Sequence, residues 1–190
     1  MQDARAASSV SDRAPEFAPP ADWVPVDPFP AGPAFHSFVS GTAARDRTRV
    51  AYFRRTDSEH LHACVWFGPT TEGPPDSVHG GAIAAVLDEA MGAVCWMNRH
   101  PVVGARITIN YRHLVPLGFS GQVESWIDHI ERRKCFITSR LTDESGKVYA
   151  EGEALFVKLT PEQIAASTLA RERRRTKYEE QRTKNANVER

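Results

Sequence analysis

A histidine and two glycines, His79-Gly80-Gly81, open a run of small and apolar residues that reaches Trp96. Two adjacent carboxylates, Asp88 and Glu89, break that run. These residue types meet the two needs of addition to a carbonyl. Amides in the first turn of a helix have no intrahelical acceptor, and the helix dipole adds positive character there. Glycine lets a ligand come close to that backbone. Such amides hold a developing oxyanion, while a carboxylate activates water or attacks directly. Gly80 and Gly81 are therefore the candidate donors, and Asp88 is the candidate base or nucleophile. A Gly-Gly pair also makes a plain turn, and an Asp also pairs inside a core. Glu89 lies about 100° around the helix from Asp88, so both cannot face one carbonyl equally well. It is the reserve candidate, or else an interface or ion-pair residue. His79 either hydrogen-bonds a substrate carbonyl or steadies the turn.

Spacing adds a constraint. Asp88 lies about 12 Å beyond Gly80 at ~1.5 Å per helical residue. It cannot act on a carbonyl held by the amides of its own helix. A second, antiparallel helix across a dimer interface would bring the two halves together, so the pattern argues for a site shared between subunits. Burial within such an apolar helix should raise the pKa of Asp88.

The elements that position these residues read as α+β. The segment Val78 to Trp96 lacks the polar face of a surface helix, which suits a helix wrapped by other structure. Ahead of it, RVAYFRR and EHLHACVWF form a strand pair joined through Thr56, Asp57 and Ser58. After it come ARITINYRHLV, GQVESWIDHIERR, KCFITSRLT and KVYAEGEALFVKL. Asp143 to Gly146 is a hairpin turn with a glycine available for left-handed backbone. Thr160-Pro161 with Gln163 marks a helix start of the capping-box kind, leading into a charged, solvated helix. Residues 1–34 are rich in Pro and Ala and read as a mostly disordered arm, with Trp23, Phe29 and Phe35 as anchors. The domain proper spans 35–160, and 161–190 is the charged tail. One helix cannot cover both faces of a long sheet, so pairing with a second copy is expected.

Bulk numbers narrow the classes. The 190 residues carry 24 Lys+Arg against 24 Asp+Glu, a formal net charge of +0, which argues against nucleic acid as a partner. Cys64, Cys95 and Cys135 are too scattered for a disulfide framework or a cysteine-rich metal site, and a reducing, cytoplasmic setting fits best. No signal peptide is read at the N-terminus, and Asp88 and Glu89 count against a membrane span. His60 and His62 form an HxH pair without an evident third ligand, so no metal is expected.

VHGGAIAAVLDEAMG, then ITINYRHLVPLG, then ERRKCFITSRLTDESGKVYAEGEALFVKL, resembles the hotdog-fold acyl-CoA thioesterases. The nearest group is the phenylacetate-pathway and mitochondrial thioesterase-superfamily type, and the resemblance covers about Arg49 to Leu159. It implies an antiparallel sheet of about six strands curled around one long central helix, an extra C-terminal helix here, and a homodimer or dimer of dimers. It implies hydrolysis of a coenzyme A thioester with no cofactor, coenzyme A being part of the substrate. Arg112, Arg132, Arg133 and Lys134 stand at strand ends and are the candidate partners of the coenzyme A phosphates, or ordinary charged strand ends. Ala85, Met91 and Val94 would line the acyl tunnel and would be core in any case. The sequence departs from the mitochondrial pattern at Gly104, where those relatives carry a Thr that positions water. Thr108 lies four residues further along the same strand. That departure admits a second reading, a non-catalytic acyl-CoA-binding module with a regulatory role. A hotdog hydratase would need a His after Asp88 on the helix, and none is there.

Overall fold

The computed structural model describes residues 15–29, 37–39 and 47–188. Phe35 and residues 1–14 of the arm lie outside them. Seven strands form one antiparallel sheet: β1 (Trp23–Pro25), β2 (Thr48–Arg55), β3 (Leu61–Phe67), β4 (Val102–Tyr111), β5 (Ser120–Glu131), β6 (Lys134–Thr142) and β7 (Val148–Lys158). Their order across the sheet is β1-β2-β3-β5-β6-β7-β4. The central helix α1 (Gly80–Met97) packs on the face formed by β3 to β7, and α2 (Pro161–Val188) follows the last strand.

Alternation along the strands builds the core. Leu61, Ala63, Val65 and Phe67 of β3 join Val123, Ile137, Leu141 and Ala150 of the neighbouring strands. Against them α1 buries Ile83, Val86, Leu87 and every residue from Ala90 to Cys95. This is the helix expected over Val78 to Trp96, shifted by one or two residues. Its length and apolarity would suffice to cross a bilayer, but half of it is buried against the protein's own sheet.

The seventh strand comes from the stretch read as an arm. Trp23, Val24 and Pro25 pair with Arg55, Arg54 and Phe53 of β2. Pro25 is tolerated because β1 is an edge strand. The Trp23 ring packs on Phe53 and on His62, with centroids 5.6 Å and 4.6 Å away. The strand after α1 also differs in extent. It begins at Val102 and stops at Tyr111, short of the expected Val115, and Val115 is instead buried in the loop beyond. β4 adds outside β7, the last strand in sequence, and forms the far edge of the sheet.

Turn chemistry follows the sequence closely. Asp143 Oδ1 accepts the Ser145 and Lys147 amides, and Gly146 takes φ +84°. At the start of α2 the Thr160 amide donates to Gln163 Oε1 at 2.8 Å, and the Gln163 amide donates back to Thr160 Oγ1 at 3.3 Å. The residues of α2 whose burial is described are almost all exposed. Arg171 reaches back over the Trp96 ring, 5.5 Å from its centroid.

Gly121 on β5 has no room for a side chain. A Cβ there would lie 2.4 Å from the Phe119 ring and 2.5 Å from the Thr142 carbonyl oxygen. The carbonyl is backbone in the β5–β6 ladder and cannot turn away. Gly121→Ala is expected to lower stability by roughly 1–3 kcal/mol, the usual cost of overpacking, read as a lower urea midpoint at unchanged slope.

Candidate active site

The loop before α1 fixes its first turn. The single 3-10 turn Pro69–Thr71 brings the Thr71 carbonyl to the His79 amide at 2.7 Å. His79 is the N-cap, and its ring Nδ1 accepts the Gly81 amide at 2.9 Å. That bond requires the tautomer with the proton on Nε2, because only an unprotonated Nδ1 accepts. The Gly80 amide makes no hydrogen bond among the described residues. Of the two candidate donors, Gly80 therefore offers a free N–H, while Gly81 is held by the side chain of His79. The turn-steadying role weighed for His79 is the one its geometry displays.

Two tyrosines join this region through contacts remote in sequence. The Tyr111 hydroxyl donates to the Gly80 carbonyl at 2.9 Å, and a Cβ on Gly80 would meet that ring at 3.2 Å. The Tyr52 hydroxyl donates to Glu89 Oε1 at 2.6 Å, and Ser37 donates to Glu89 Oε2. Burial first, and then the Glu89 charge, push the Tyr52 phenol far above its ordinary pKa, so it stays a donor. Glu89 thus ties β2 and the segment 37–39 to α1, and it does not share the surroundings of Asp88. Neither tyrosine stood out in the sequence, because only the fold brings them to the helix. Tyr52→Phe removes one donor from the part-buried Glu89 carboxylate. It is expected to lower stability by about 1–3 kcal/mol, measured by urea denaturation.

Asp88 lies on the flank of α1 opposite β4. A Cβ built on Gly104 would stand 3.8 Å from Asp88 Oδ1 and 3.6 Å from the Phe156 ring, both ordinary contact distances. Position 104, at a β-bulge between Gly104 and Arg106, is thus where a side chain on β4 would meet the carboxylate. With glycine there, solvent reaches Asp88 in a single copy of the chain, contrary to the burial expected from the apolar run. Partial burial on the other side still raises the carboxyl pKa, and the neighbouring Glu89 charge adds to the rise. Thr108 is exposed further along β4.

The four candidate coenzyme A contacts separate into two places. Arg112 follows Tyr111, at the end of β4 beside Gly80, and its guanidinium pairs with Glu151 at 2.7 Å. Arg132 and Arg133 form the β5–β6 turn, Arg132 with φ +54°. Arg133 donates twice to the Lys158 carbonyl, at 3.0 Å and 2.8 Å. Lys134 pairs in register with Val157, next to Lys158, the partner of Val102 at the other end of β4. In one copy, Arg132, Arg133 and Lys134 therefore sit at the end of the sheet away from Gly80.

His60 and His62 are each engaged by neighbours. His60 Nδ1 lies 2.9 Å from Glu124 Oε1, and His62 packs under Trp23. Among the described residues no group of three His, Cys, Asp or Glu side chains is placed to hold a metal. Ala85 of the expected tunnel lines a cleft of about 360 Å³ beside His79, Gly81 and Ala82, whereas Met91 and Val94 are fully buried core.

A curled antiparallel sheet around one long helix, with a histidine-capped glycine turn at one end of that helix and an aspartate on its flank, is a hotdog fold. Residues 76–150 match the sequence profile of the Thioesterase superfamily. Acyl-coenzyme A thioesterase THEM4 of Xenopus laevis is 36% identical over 95 residues, 50% of this chain and 43% of that protein. The chain spans under half the length of the curated relatives it matches. The PaaI protein of the E. coli phenylacetic acid degradation operon has the same fold, with a TM-score of 0.54 and 14% identity over 58% of this chain and 80% of that one. A hypothetical thioesterase of Streptococcus pneumoniae TIGR4, solved with coenzyme A, gives a TM-score of 0.54 and 16% identity over 58% and 86%.

Proposed function

We propose that the protein hydrolyses acyl-coenzyme A thioesters. The observation that carries this reading is the pairing, on one helix, of an unbonded Gly80 amide at the start and a pKa-raised Asp88 carboxyl two turns on. The thioester carbonyl docks at the first turn of α1, where Gly80 and the dipole receive the negative charge that builds on oxygen. Asp88 either takes a proton from water as it adds to the carbonyl carbon or attacks that carbon itself. The carbon–sulfur bond then breaks, and coenzyme A leaves as the thiol. No cofactor is needed. Relatives described as acyl-coenzyme A thioesterases, and a like-folded protein solved with coenzyme A, support the substrate class.

The same reading makes the unit of function a homodimer or a dimer of dimers. Gly80 and Asp88 are about 12 Å apart along α1 at ~1.5 Å per residue, too far for one carbonyl. β4 hydrogen-bonds only to β7, leaving a ten-residue edge on which Val103, Ile107 and Tyr111 are exposed. A long apolar edge of this kind calls for another strand. A second copy placed there would bring its own α1 to face this one and the partner's basic β5–β6 turn toward Gly80. Three unpaired thiols fit a cytoplasmic setting.

A binding-only module is the second reading, favoured by Gly104, which puts no hydroxyl beside Asp88. Free-thiol release from aromatic, short-chain and long-chain acyl-CoAs separates the two. Turnover of at least one class is expected. Tight binding by calorimetry with no thiol released from any of them would replace hydrolysis by binding alone.

A further inference from the structure

The cleft beside the first turn of α1 has one wall that the hydrolytic step does not use. It holds about 360 Å³ and runs between Ala82 and Ala85 of the helix and Phe38 and Val39 of the segment packed over it. Arg47 stands on the same cleft. Its guanidinium lies over the Phe38 ring, 5.2 Å from the centroid. Its backbone is fixed, because the Gly68 amide donates to the Arg47 carbonyl at 2.6 Å. The turn Pro69–Thr71 connects this anchor to His79, whose amide bonds the Thr71 carbonyl, and Arg47 and His79 both line the cleft.

Charge is the telling feature. Among the described residues, no carboxylate pairs with Arg47. Glu72, the other charged group on the cleft, turns its Oε1 to the Asp76 amide at 3.0 Å. A guanidinium stacked on an aromatic face keeps its N–H edges available, and those edges fit a carboxylate in a bidentate way. The cleft has room for a short acyl group. Ala82, Ala85, Val39 and Phe38 give it an apolar side, and Thr48, Thr70 and Thr71 line it as well.

We propose that this cleft receives the acyl portion of the thioester and that Arg47 binds an anionic group at the acyl chain's far end. The preferred substrates are then ω-carboxyacyl-CoA thioesters, the half-thioesters of short dicarboxylic acids. The inference rests on the hydrolase reading above and makes Arg47 its specificity-determining residue. The same guanidinium chemistry would also accept a phosphate of coenzyme A, and the experiment separates the two sources.

Adipyl-CoA and hexanoyl-CoA have equal chain length and differ in the terminal carboxylate. The full chain is expected to favour adipyl-CoA in kcat/KM by about tenfold or more, the scale of one charge-assisted hydrogen-bond pair. Arg47→Gln should lower that ratio by a similar factor, and free adipate should compete with adipyl-CoA in the parent protein but not in the variant. Calorimetric titration of both thioesters into the Asp88→Asn protein reads the same preference without turnover. Equal kcat/KM for the two substrates overturns the inference. So does an Arg47→Gln variant that weakens both substrates and inhibition by free coenzyme A alike, which would assign the contact to phosphate. Absence of thiol release from either substrate would defeat the hydrolase reading, and the calorimetric preference would then decide the role of Arg47 by itself.

Discussion

Asp88→Asn is expected to cut kcat by about 10²- to 10⁴-fold, the range for removing a positioned general base or its equivalent. Binding of the thioester should survive, because asparagine keeps the shape and the N-terminal amides of α1 are untouched. The variant should also be slightly more stable. Partial burial and the Glu89 charge raise the Asp88 pKa in the folded protein. A carboxyl with a raised folded pKa binds more protons folded than unfolded. Stability is therefore lost as pH climbs from the unfolded pKa through the folded one, and at neutral pH the charge is a cost. Asparagine removes that cost, so a melting temperature at or above that of the parent would exclude misfolding as the cause of lost turnover. The parent's pH–rate profile follows from the same shift. The carboxylate is the working form, so the rate should fall on acidification with a midpoint above the ordinary Asp value of about 3.9. An Asp88→Asn protein that turns over several acyl-CoAs at the parental rate would remove Asp88 from the mechanism.

The second large effect concerns assembly. Ile107→Asp puts a charge in the middle of the exposed edge strand β4. Sedimentation should show a shift toward single chains, and activity should fall by about two orders of magnitude, as expected when positioning of reacting groups is lost. A mixing experiment tests the shared site more directly. Gly80→Val crowds the Tyr111 ring at the start of α1, where a Cβ already lies 3.2 Å away, and should be inactive alone. Mixed with Asp88→Asn and allowed to exchange subunits, each mixed dimer holds one site with both defects and one with neither. Random exchange would then restore about a quarter of parental activity, by the two-fold symmetry of an isologous pair. No recovery despite proven exchange would place each site within one chain.

How far the amino-acid order foretold this structure depends on the range of the interactions involved. α1 was legible because its signals are local: a glycine turn, then an apolar run longer than any strand. The Thr160/Gln163 capping box and the Asp143–Gly146 turn were legible for the same reason. β1 was not. Trp23-Val24-Pro25 lies among prolines and has no periodicity of its own. It becomes a strand through pairing with β2 and the packing of Trp23 on Phe53 and His62. Asp88 could be located on α1 but not its exposure, which depends on the missing side chain at Gly104 across the gap to β4. Likewise Arg112 and the Arg132–Lys134 group could be placed at strand ends. Which end each occupies is a property of sheet order, and sheet order is not written in any single strand. Tyr52 and Tyr111 escaped notice because each meets α1 from a strand remote in sequence.

The place of β4 bears on how the chain is made. Among the described residues its one hydrogen-bonded neighbour is β7, and β5 and β6 intervene in sequence. During synthesis β4 emerges directly behind α1 but has no strand to join until Val148–Lys158 has left the ribosome. At about 5–20 residues per second the wait is a matter of seconds. Over that interval the flank of α1 and the apolar residues of β4 stay in water. Pairings of long sequence separation form late, and an unpaired apolar edge invites the wrong strand. The step most open to chaperone capture or to aggregation is therefore the arrival of β7. Substitutions that slow the β6–β7 hairpin would reduce soluble yield before they altered the finished protein.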